Sequence, residues 1–176
     1  MRKEILFSED VIANRVKELG KEIEGDFDDG FVAISLLRGS FIFAADLLRS
    51  IDRKVEIDFL TTSSYENEEH SSGDVKFLTS LRCDIEGRDV LIIDDILDTG
   101  NTLKSVKDKL SKMNPKSIKS AVLLNKPSRR EADVDADYVG FTIDDLFIVG
   151  YGLNYGDYYR NVPYIYAYVE DSNEEI

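Results

Sequence analysis

The sequence predicts an α/β fold with a central, mainly parallel sheet flanked by helices. Short apolar runs of strand length alternate along the chain with segments of helical periodicity. Residues 90–93 (VLII) are apolar without interruption, which is typical of a parallel strand that is covered on both faces. With 176 residues, 43% of them hydrophobic, the chain can bury a sizeable core. We expect one domain over residues 1–176, with a frayed acidic tail at residues 171–176.

The helices and strands are predicted in a regular order. Ser8 can cap a first helix, which should end near Gly20. A second helix is predicted at residues 41–51, and its inward side chains are expected to be Phe41, Ala44, Ala45 and Leu48. A third helix should begin at about Leu103. Strands are predicted at residues 31–37, 55–60, 90–93, 118–124, 138–143, 146–149 and 164–169, and a polar loop at residues 63–74.

Charge and composition exclude several classes of protein. The net charge is −13, with 35 acidic and 22 basic residues, which disfavours nonspecific nucleic-acid binding. No apolar run approaches the roughly 20 residues that cross a bilayer, and no signal-peptide pattern follows Met1. Cys83 is the only cysteine, which fits a reducing cytoplasm, so we expect a cytoplasmic protein. His70 is the only histidine and has no neighbouring Cys, which argues against a zinc site.

The segment at residues 90–103 (VLIIDDILDTGNTL) is the most informative about function. The strand ends in the carboxylates Asp94 and Asp95, and Asp98 follows. The next residues, TGNT at 99–102, combine hydroxyls and a glycine with the start of a helix, the features that bind anions. The acidic pair would repel a lone phosphate, but it can accept hydrogen bonds from ribose hydroxyls or attract Mg²⁺ on a polyphosphate. The segment therefore predicts a sugar-phosphate site; the simpler interpretation is a solvated turn capped by Thr102.

This segment resembles the ribose-phosphate signature of the purine and pyrimidine phosphoribosyltransferases. Asp98 is similar to the aspartate of the branch that handles 6-oxopurines, and the likeness to its bacterial members covers roughly residues 5–170. Further matches are found at residues 36–40, 63–65, 126, 147–153, 159–161 and 163–165. The resemblance implies the type I phosphoribosyltransferase fold, an α/β domain with a small hood that the N- and C-terminal segments form.

The resemblance also implies an activity. Such an enzyme transfers the 5-phosphoribosyl group of 5-phosphoribosyl-1-pyrophosphate to N9 of hypoxanthine or guanine, which yields IMP or GMP and pyrophosphate with Mg²⁺. The implied partners are these small molecules and further copies of the chain, in a homodimer or homotetramer. The alternatives are a xanthine-preferring enzyme, a non-catalytic regulator that senses ribosyl pyrophosphate, and a phosphatase or nucleotide-binding module that uses Asp94 or Asp98 as a nucleophile or metal ligand. Release of pyrophosphate, and not of inorganic phosphate, distinguishes the transferase from the phosphatase.

Site residues carry over from the family position by position. Asp98 is expected to exchange a proton with N7 of the purine. The residues expected to bind ribose and the 5′-phosphate are Asp94, Asp95, Asp98, Thr99, Gly100, Asn101 and Thr102. Those expected to bind pyrophosphate are Arg38, Gly39 and Arg160. Those expected to bind the base are Lys126, Phe147, Ile148 and Leu153. Those expected to bind the metal are Asp94, Asp95 and Asn154. Ser64 and Tyr65 are expected to begin a mobile lid over the site.

Two positions depart from the family pattern. Arg38 replaces a lysine that most relatives carry, and arginine can bind pyrophosphate through two nitrogens. Asn154 replaces an aspartate that binds a second Mg²⁺ in relatives. An amide oxygen lacks the charge that binds hard cations strongly, so we expect weaker binding of the second metal. Lys126 is expected to donate to the purine O6 atom, a contact that would reject adenine.

Overall fold

The computed structural model describes residues 1–64 and 75–170. Within these ranges the chain forms two sheets, three α-helices and one short 3₁₀ helix. The elements are, in chain order, β1 (Arg2–Phe7), α1 (Glu9–Asp26), β2 (Phe31–Leu37), α2 (Phe41–Arg49), β3 (Val55–Ser64), β4 (Val75–Phe77), β5 (Asp89–Leu97), α3 (Asn101–Ser111), β6 (Ser117–Asn125), the 3₁₀ helix (Pro127–Arg129), β7 (Tyr138–Thr142), β8 (Phe147–Val149) and β9 (Ile165–Val169).

The larger sheet confirms the predicted α/β class. Its strand order is β4-β3-β2-β5-β6-β7, and all neighbouring pairs are parallel except the antiparallel pair of β3 and β4. From β2 the chain proceeds outward to β3, and it then returns to β5 on the other side of β2. The strand order therefore reverses between β2 and β5. In open α/β sheets, ligands bind outside the carboxyl ends of the strands at such a switch point.

Helices cover both faces of the larger sheet, because the side chains of a strand alternate between its two faces. In β5, Leu91 and Ile93 pack in the same core cluster as helices α1 and α2. Val90 and Ile92 pack in the other cluster, together with the apolar side of α3. Both faces are buried, as the uninterrupted apolar run predicts.

The smaller sheet confirms the predicted hood of N- and C-terminal segments. It is antiparallel with the order β1-β9-β8, and it pairs Arg2 with Val169 and Phe147 with Tyr168. Strand β1 was not predicted. Most of its side chains are exposed, so the sequence has no apolar alternation there, and the strand forms by pairing with the distant β9.

Several predicted boundaries were wrong in detail. Helix α1 continues through Gly20 to Asp26; a Cβ on Gly20 would lie 2.1 Å from Ser50 Oγ, so the glycine permits a close approach to the end of α2. The buried face of α2 is Phe43, Ala44 and Leu47, whereas Phe41 and Ala45 are exposed. The predicted cap Ser8 is confirmed, since its hydroxyl accepts a hydrogen bond from the Val11 amide.

The predicted polar loop at residues 63–74 is only partly described. Strand β3 continues to Ser64, four residues beyond its predicted end, because it gains an antiparallel partner in β4. Tyr65, His70 and the predicted frayed tail at residues 171–176 lie outside the described residues. No helix within residues 1–64 and 75–170 is long and apolar enough to cross a membrane.

Candidate active site

The loop after β2 brings Arg38 and Gly39 to the carboxyl edge of the sheet. Buried Ser40 holds this loop, since its hydroxyl donates to the Leu36 carbonyl at 2.5 Å and lies 2.7 Å from the Ser35 hydroxyl. The peptide bond between Leu37 and Arg38 is cis. The Arg38 side chain is exposed, so its guanidinium is accessible to a ligand.

Two glycines allow three segments to meet at this edge. A Cβ on Gly39 would lie 1.9 Å from Asp95 Oδ2, so the loop after β2 touches the acidic pair directly. Gly152 has φ of +102°, and a Cβ there would lie 2.2 Å from the Gly39 carbonyl oxygen. Arg160 donates from Nη1 to the Gly152 carbonyl at 2.7 Å. The structure thus brings Gly39, Asp95 and Arg160 together, and Gly152 joins them.

The acidic pair lies in the carboxyl-terminal half of β5, which continues to Leu97, four residues beyond its predicted end. Asp94 accepts a hydrogen bond from the Asp95 amide at 3.0 Å, and Asp95 accepts one from the Ile96 amide at 2.9 Å. Burial raises the pKa of Asp94 well above its ordinary value, and the charge of the adjacent Asp95 raises it further. Two neighbouring carboxylates in such a place favour a ligand that donates hydrogen bonds or carries positive charge.

The donor set of this pair fits Mg²⁺ that substrate and water share. Among residues 1–64 and 75–170, no cluster of three or more His, Cys, Asp or Glu side chains could hold a metal. Mg²⁺ commonly takes only one or two carboxylates and completes its octahedron with phosphate oxygens and water. Asn154 is exposed, and its Nδ2 atom donates to the Gly156 carbonyl at 2.6 Å.

The loop after Asp98 ends at the N-terminus of α3. Gly100 is the N-cap of this helix with φ of +85°, a conformation that favours glycine, so the cap at Thr102 that belonged to the simpler interpretation is not formed. The loop is braced from the other side by Glu131, which accepts a hydrogen bond from Asn101 Nδ2 at 3.1 Å and donates its amide to the Thr99 carbonyl. The Asn101 amide donates to the Thr99 hydroxyl at 3.3 Å, and Gly100 has no side chain that could cap the other amides of the first turn, so these can bind an anion.

Lys126 and Phe147 lie beside the acidic loop. The Lys126 amide donates to the Leu97 carbonyl at 2.9 Å, which joins the ends of β5 and β6. The Lys126 side chain is buried, and its Nζ donates to the Leu146 carbonyl at 2.6 Å. Phe147 follows directly and is 52% exposed, so its ring is available for stacking. Ile148 and Leu153 are buried, which leaves their backbone atoms as the groups that could face a base.

Four residues of this edge were given no role from the sequence: Arg129, Arg130, Asp145 and Gly152, the last of which lies in the matched segment 147–153. Gly152 lies against Gly39. Arg129 Nε lies 3.2 Å from Asp98 Oδ1, and its Nη1 lies 3.5 Å from Asp145 Oδ2. Arg130 Nε donates to the Asp98 carbonyl at 3.2 Å. The signal that could have identified the arginines is their position at the end of the 3₁₀ turn that Pro127 begins, immediately after Lys126: Arg129 is its last residue and Arg130 follows it.

Comparison with known proteins places these features in a family context. Residues 4–156 match the phosphoribosyl transferase domain. A hypoxanthine-guanine phosphoribosyltransferase of Aquifex aeolicus is 48% identical and aligns over 95% of this chain and 94% of its own. A hypoxanthine phosphoribosyltransferase of Escherichia coli K12 is 47% identical over 92% and 93% of the two chains. The crystal structure of a Bacillus anthracis hypoxanthine-guanine phosphoribosyltransferase superimposes with a TM-score of 0.90 at 46% identity, over 94% and 98% of the chains.

Proposed function

Because the chain belongs to the phosphoribosyltransferase family, we propose that it transfers the 5-phosphoribosyl group of 5-phosphoribosyl-1-pyrophosphate to N9 of hypoxanthine or guanine. The products are IMP or GMP and pyrophosphate, so the reaction salvages purine bases. One observation carries the proposal: the acidic pair, the phosphate loop, the Gly39 loop and Lys126 converge at one edge of the sheet. The relatives' names support this enzyme over the regulator, the phosphatase and the xanthine-preferring alternative.

The ribosyl pyrophosphate lies across the switch point between β2 and β5 in our proposal. The amides at the start of α3 and the Thr99 and Thr102 hydroxyls bind the 5′-phosphate, and the helix dipole favours its charge. Asp94 and Asp95 accept hydrogen bonds from the ribose 2′- and 3′-hydroxyls. The exposed guanidinium of Arg38 and the Gly39 backbone bind the pyrophosphate, with Arg160 nearby. When bound, Mg²⁺ supplies positive charge that neutralises the leaving pyrophosphate.

Asp98 removes the proton that the purine loses in this reaction. The C1–O bond to pyrophosphate breaks and its electron pair leaves with pyrophosphate, while a bond forms between N9 and C1. The base then carries an excess proton at N7, which passes to the Asp98 carboxylate. The carboxylates of the acidic loop also stabilise the positive charge that develops on the ribosyl group.

Lys126 and Phe147 recognise the base. One Lys126 N–H is used by the Leu146 carbonyl, which orients the ammonium so that another N–H can donate to the purine O6 atom. Adenine presents an amino group at that position, and two donors facing each other are unfavourable. The half-exposed ring of Phe147 stacks on the base.

Nucleotide formation tests the proposed function. Purified protein is mixed with Mg²⁺, 5-phosphoribosyl-1-pyrophosphate and one base at a time: hypoxanthine, guanine, xanthine or adenine. We expect pyrophosphate and nucleotide from hypoxanthine or guanine and none from adenine. Nucleotide from adenine at a comparable rate would contradict the role of Lys126. No nucleotide from any base at high Mg²⁺ would contradict the proposed activity.

The substitution Asn154→Asp tests the predicted weak binding of the second Mg²⁺. We expect Asn154→Asp to lower the Mg²⁺ concentration that gives half-maximal turnover by about threefold to tenfold, because one more charged oxygen strengthens binding of a hard cation. The variant also loses the hydrogen bond from Asn154 Nδ2 to Gly156. Asn154→Ser is the control, since it loses the same bond without gaining charge. Equal Mg²⁺ dependence of the wild type and Asn154→Asp would contradict the prediction.

We propose one cytoplasmic domain over residues 1–176. The two core clusters share strands, since β5 contributes alternate residues to each, and this supports one folding unit. Cys83 has a free thiol, and burial raises its pKa to about 11, so it is held in the less reactive form. A free, unreactive cysteine is compatible with the reducing cytoplasm.

The proposed assembly is a homodimer or homotetramer. Ile57 and Phe59 point to the same side of β3, and they are 51% and 46% exposed. Large apolar side chains exposed side by side favour a protein partner. We expect Phe59→Lys to lower the mass measured by light scattering towards that of one chain. Val11→Lys is the control, because Val11 is also 46% exposed but lies on α1; an unchanged mass for Phe59→Lys would contradict this surface.

A further inference from the structure

One of the two oxygens of the Asp98 carboxylate is inaccessible to a substrate. Its Oδ1 atom is buried and makes no hydrogen bond within the part of the chain that the structure describes. The side chain as a whole is 37% exposed, so its exposure belongs to the remaining atoms. A buried carboxylate oxygen without a hydrogen bond is costly unless a positive charge lies near it.

Arg129 provides that charge. Its Nε lies 3.2 Å from the buried Oδ1 atom. The 3₁₀ turn that follows Lys126 directs the arginine back towards Asp98, and the Arg129 amide donates to the Lys126 carbonyl at 3.2 Å. The negative charge of Asp98 raises the pKa of Arg129, and that of Asp145 adds to the effect, so the guanidinium stays charged.

Arg129 also joins the proton acceptor to the base-recognition lysine. Its Nη1 lies 3.5 Å from Asp145 Oδ2, and Asp145 Oδ1 lies 3.6 Å from Lys126 Nζ. The ion chain, as we name it, consists of Asp98, Arg129, Asp145 and Lys126. It contains two acids and two bases, so its charges balance without a substrate. The two side chains proposed to contact N7 and O6, neighbouring atoms on one edge of the purine, are therefore parts of one electrostatic unit.

We propose that Arg129 is a positioning residue for proton transfer, which holds the Oδ1 atom of Asp98 so that the other carboxylate oxygen faces N7 of the base. This inference rests on the proposed function. Arg129 does not touch the substrate in this arrangement; it acts through Asp98. The position of the carboxylate affects the chemical step, whereas binding of ribosyl pyrophosphate depends on the acidic pair and the Gly39 loop.

Arg129→Gln tests this role, with Arg129→Lys as the variant that keeps the charge. Because product release can limit turnover, the measurement is the single-turnover rate of nucleotide formation together with the KM for each substrate. We expect Arg129→Gln to lower the single-turnover rate about tenfold, the effect of losing one charge-assisted contact, and Arg129→Lys to recover most of it. The KM for 5-phosphoribosyl-1-pyrophosphate should stay within about twofold of the wild-type value.

Arg88→Gln is the matched control. Arg88 also pairs with a carboxylate, that of Glu56, and it is 39% exposed where Arg129 is 49% exposed. A rate within twofold of wild type for Arg129→Gln would overturn the inference, as would an equal loss in Arg88→Gln or a loss confined to the KM for ribosyl pyrophosphate. A wild-type protein that forms no nucleotide would instead contradict the proposed function, so the two failures are distinguishable.

Discussion

Asp98→Asn should lower the single-turnover rate of nucleotide formation about a thousandfold, because a carboxamide cannot accept the N7 proton. The side chain keeps its size, so it can still occupy the place beside Arg129 Nε. Binding of 5-phosphoribosyl-1-pyrophosphate should change by less than about threefold, since the phosphate loop and the acidic pair are untouched. The measurement is the formation of IMP from hypoxanthine with enzyme in excess.

Asp145→Asn is the matched control for this prediction. Asp145 is an acid of the same ion chain, and it pairs with the same arginine as Asp98 does, at 3.5 Å. It has no proposed part in proton transfer. We expect Asp145→Asn to lower the single-turnover rate less than about tenfold, because it removes only a half-exposed ion pair near the site. Equal losses in the two variants would show that charge in the ion chain, and not proton transfer at Asp98, determines the rate.

The sequence predicts the parts of this molecule whose signals are local. The apolar run of β5 and the alternation of strands and helices predict the α/β fold, because burial on both faces leaves a continuous pattern. The motif at residues 94–102 contains the carboxylates, the hydroxyls and the start of the helix in consecutive positions. These groups therefore lie together near the end of β5. The hydroxyl of Ser8 caps α1 three residues from its partner, so this contact is also local.

Features that depend on distant pairing have no local signal, and the hood was expected from the family resemblance alone. Strand β1 is recognisable only by its partner β9, which lies more than 150 residues away in the chain. The orientation of α2 is set by how the helix packs, so Phe43 is buried where Phe41 was expected. The ion chain likewise depends on the parallel register of β5 and β6, in which Leu97 is opposite Asn125. That register places the residues that follow β5 beside those that follow β6. The sequence of either segment alone therefore does not predict that these residues meet.

Gly39→Ala should raise the KM for 5-phosphoribosyl-1-pyrophosphate and lower kcat/KM for this substrate about a hundredfold. The added Cβ would lie 1.9 Å from Oδ2 and 2.8 Å from Cγ of Asp95, so the two groups cannot keep their places. If Asp95 moves, the ribose hydroxyls lose a hydrogen-bond acceptor. If the loop after β2 moves, the Gly39 backbone no longer lies where it binds pyrophosphate. Either movement harms the same substrate, which is why the effect should appear in its KM and much less in the KM for the base.

Gly25→Ala separates this effect from a general consequence of replacing glycine. Gly25 lies in α1, and apart from its chain neighbours and the adjacent backbone of that helix, a Cβ there would have no atom of the described residues within 4 Å. An alanine in a helix is more favourable than a glycine by about 1 kcal/mol, so this variant should unfold at an equal or higher temperature and keep full activity. If Gly39→Ala is folded, as judged by its thermal midpoint, and still shows a normal KM for ribosyl pyrophosphate, the loop after β2 cannot be the pyrophosphate site. A raised KM in the folded variant would place that substrate between Gly39 and the acidic pair.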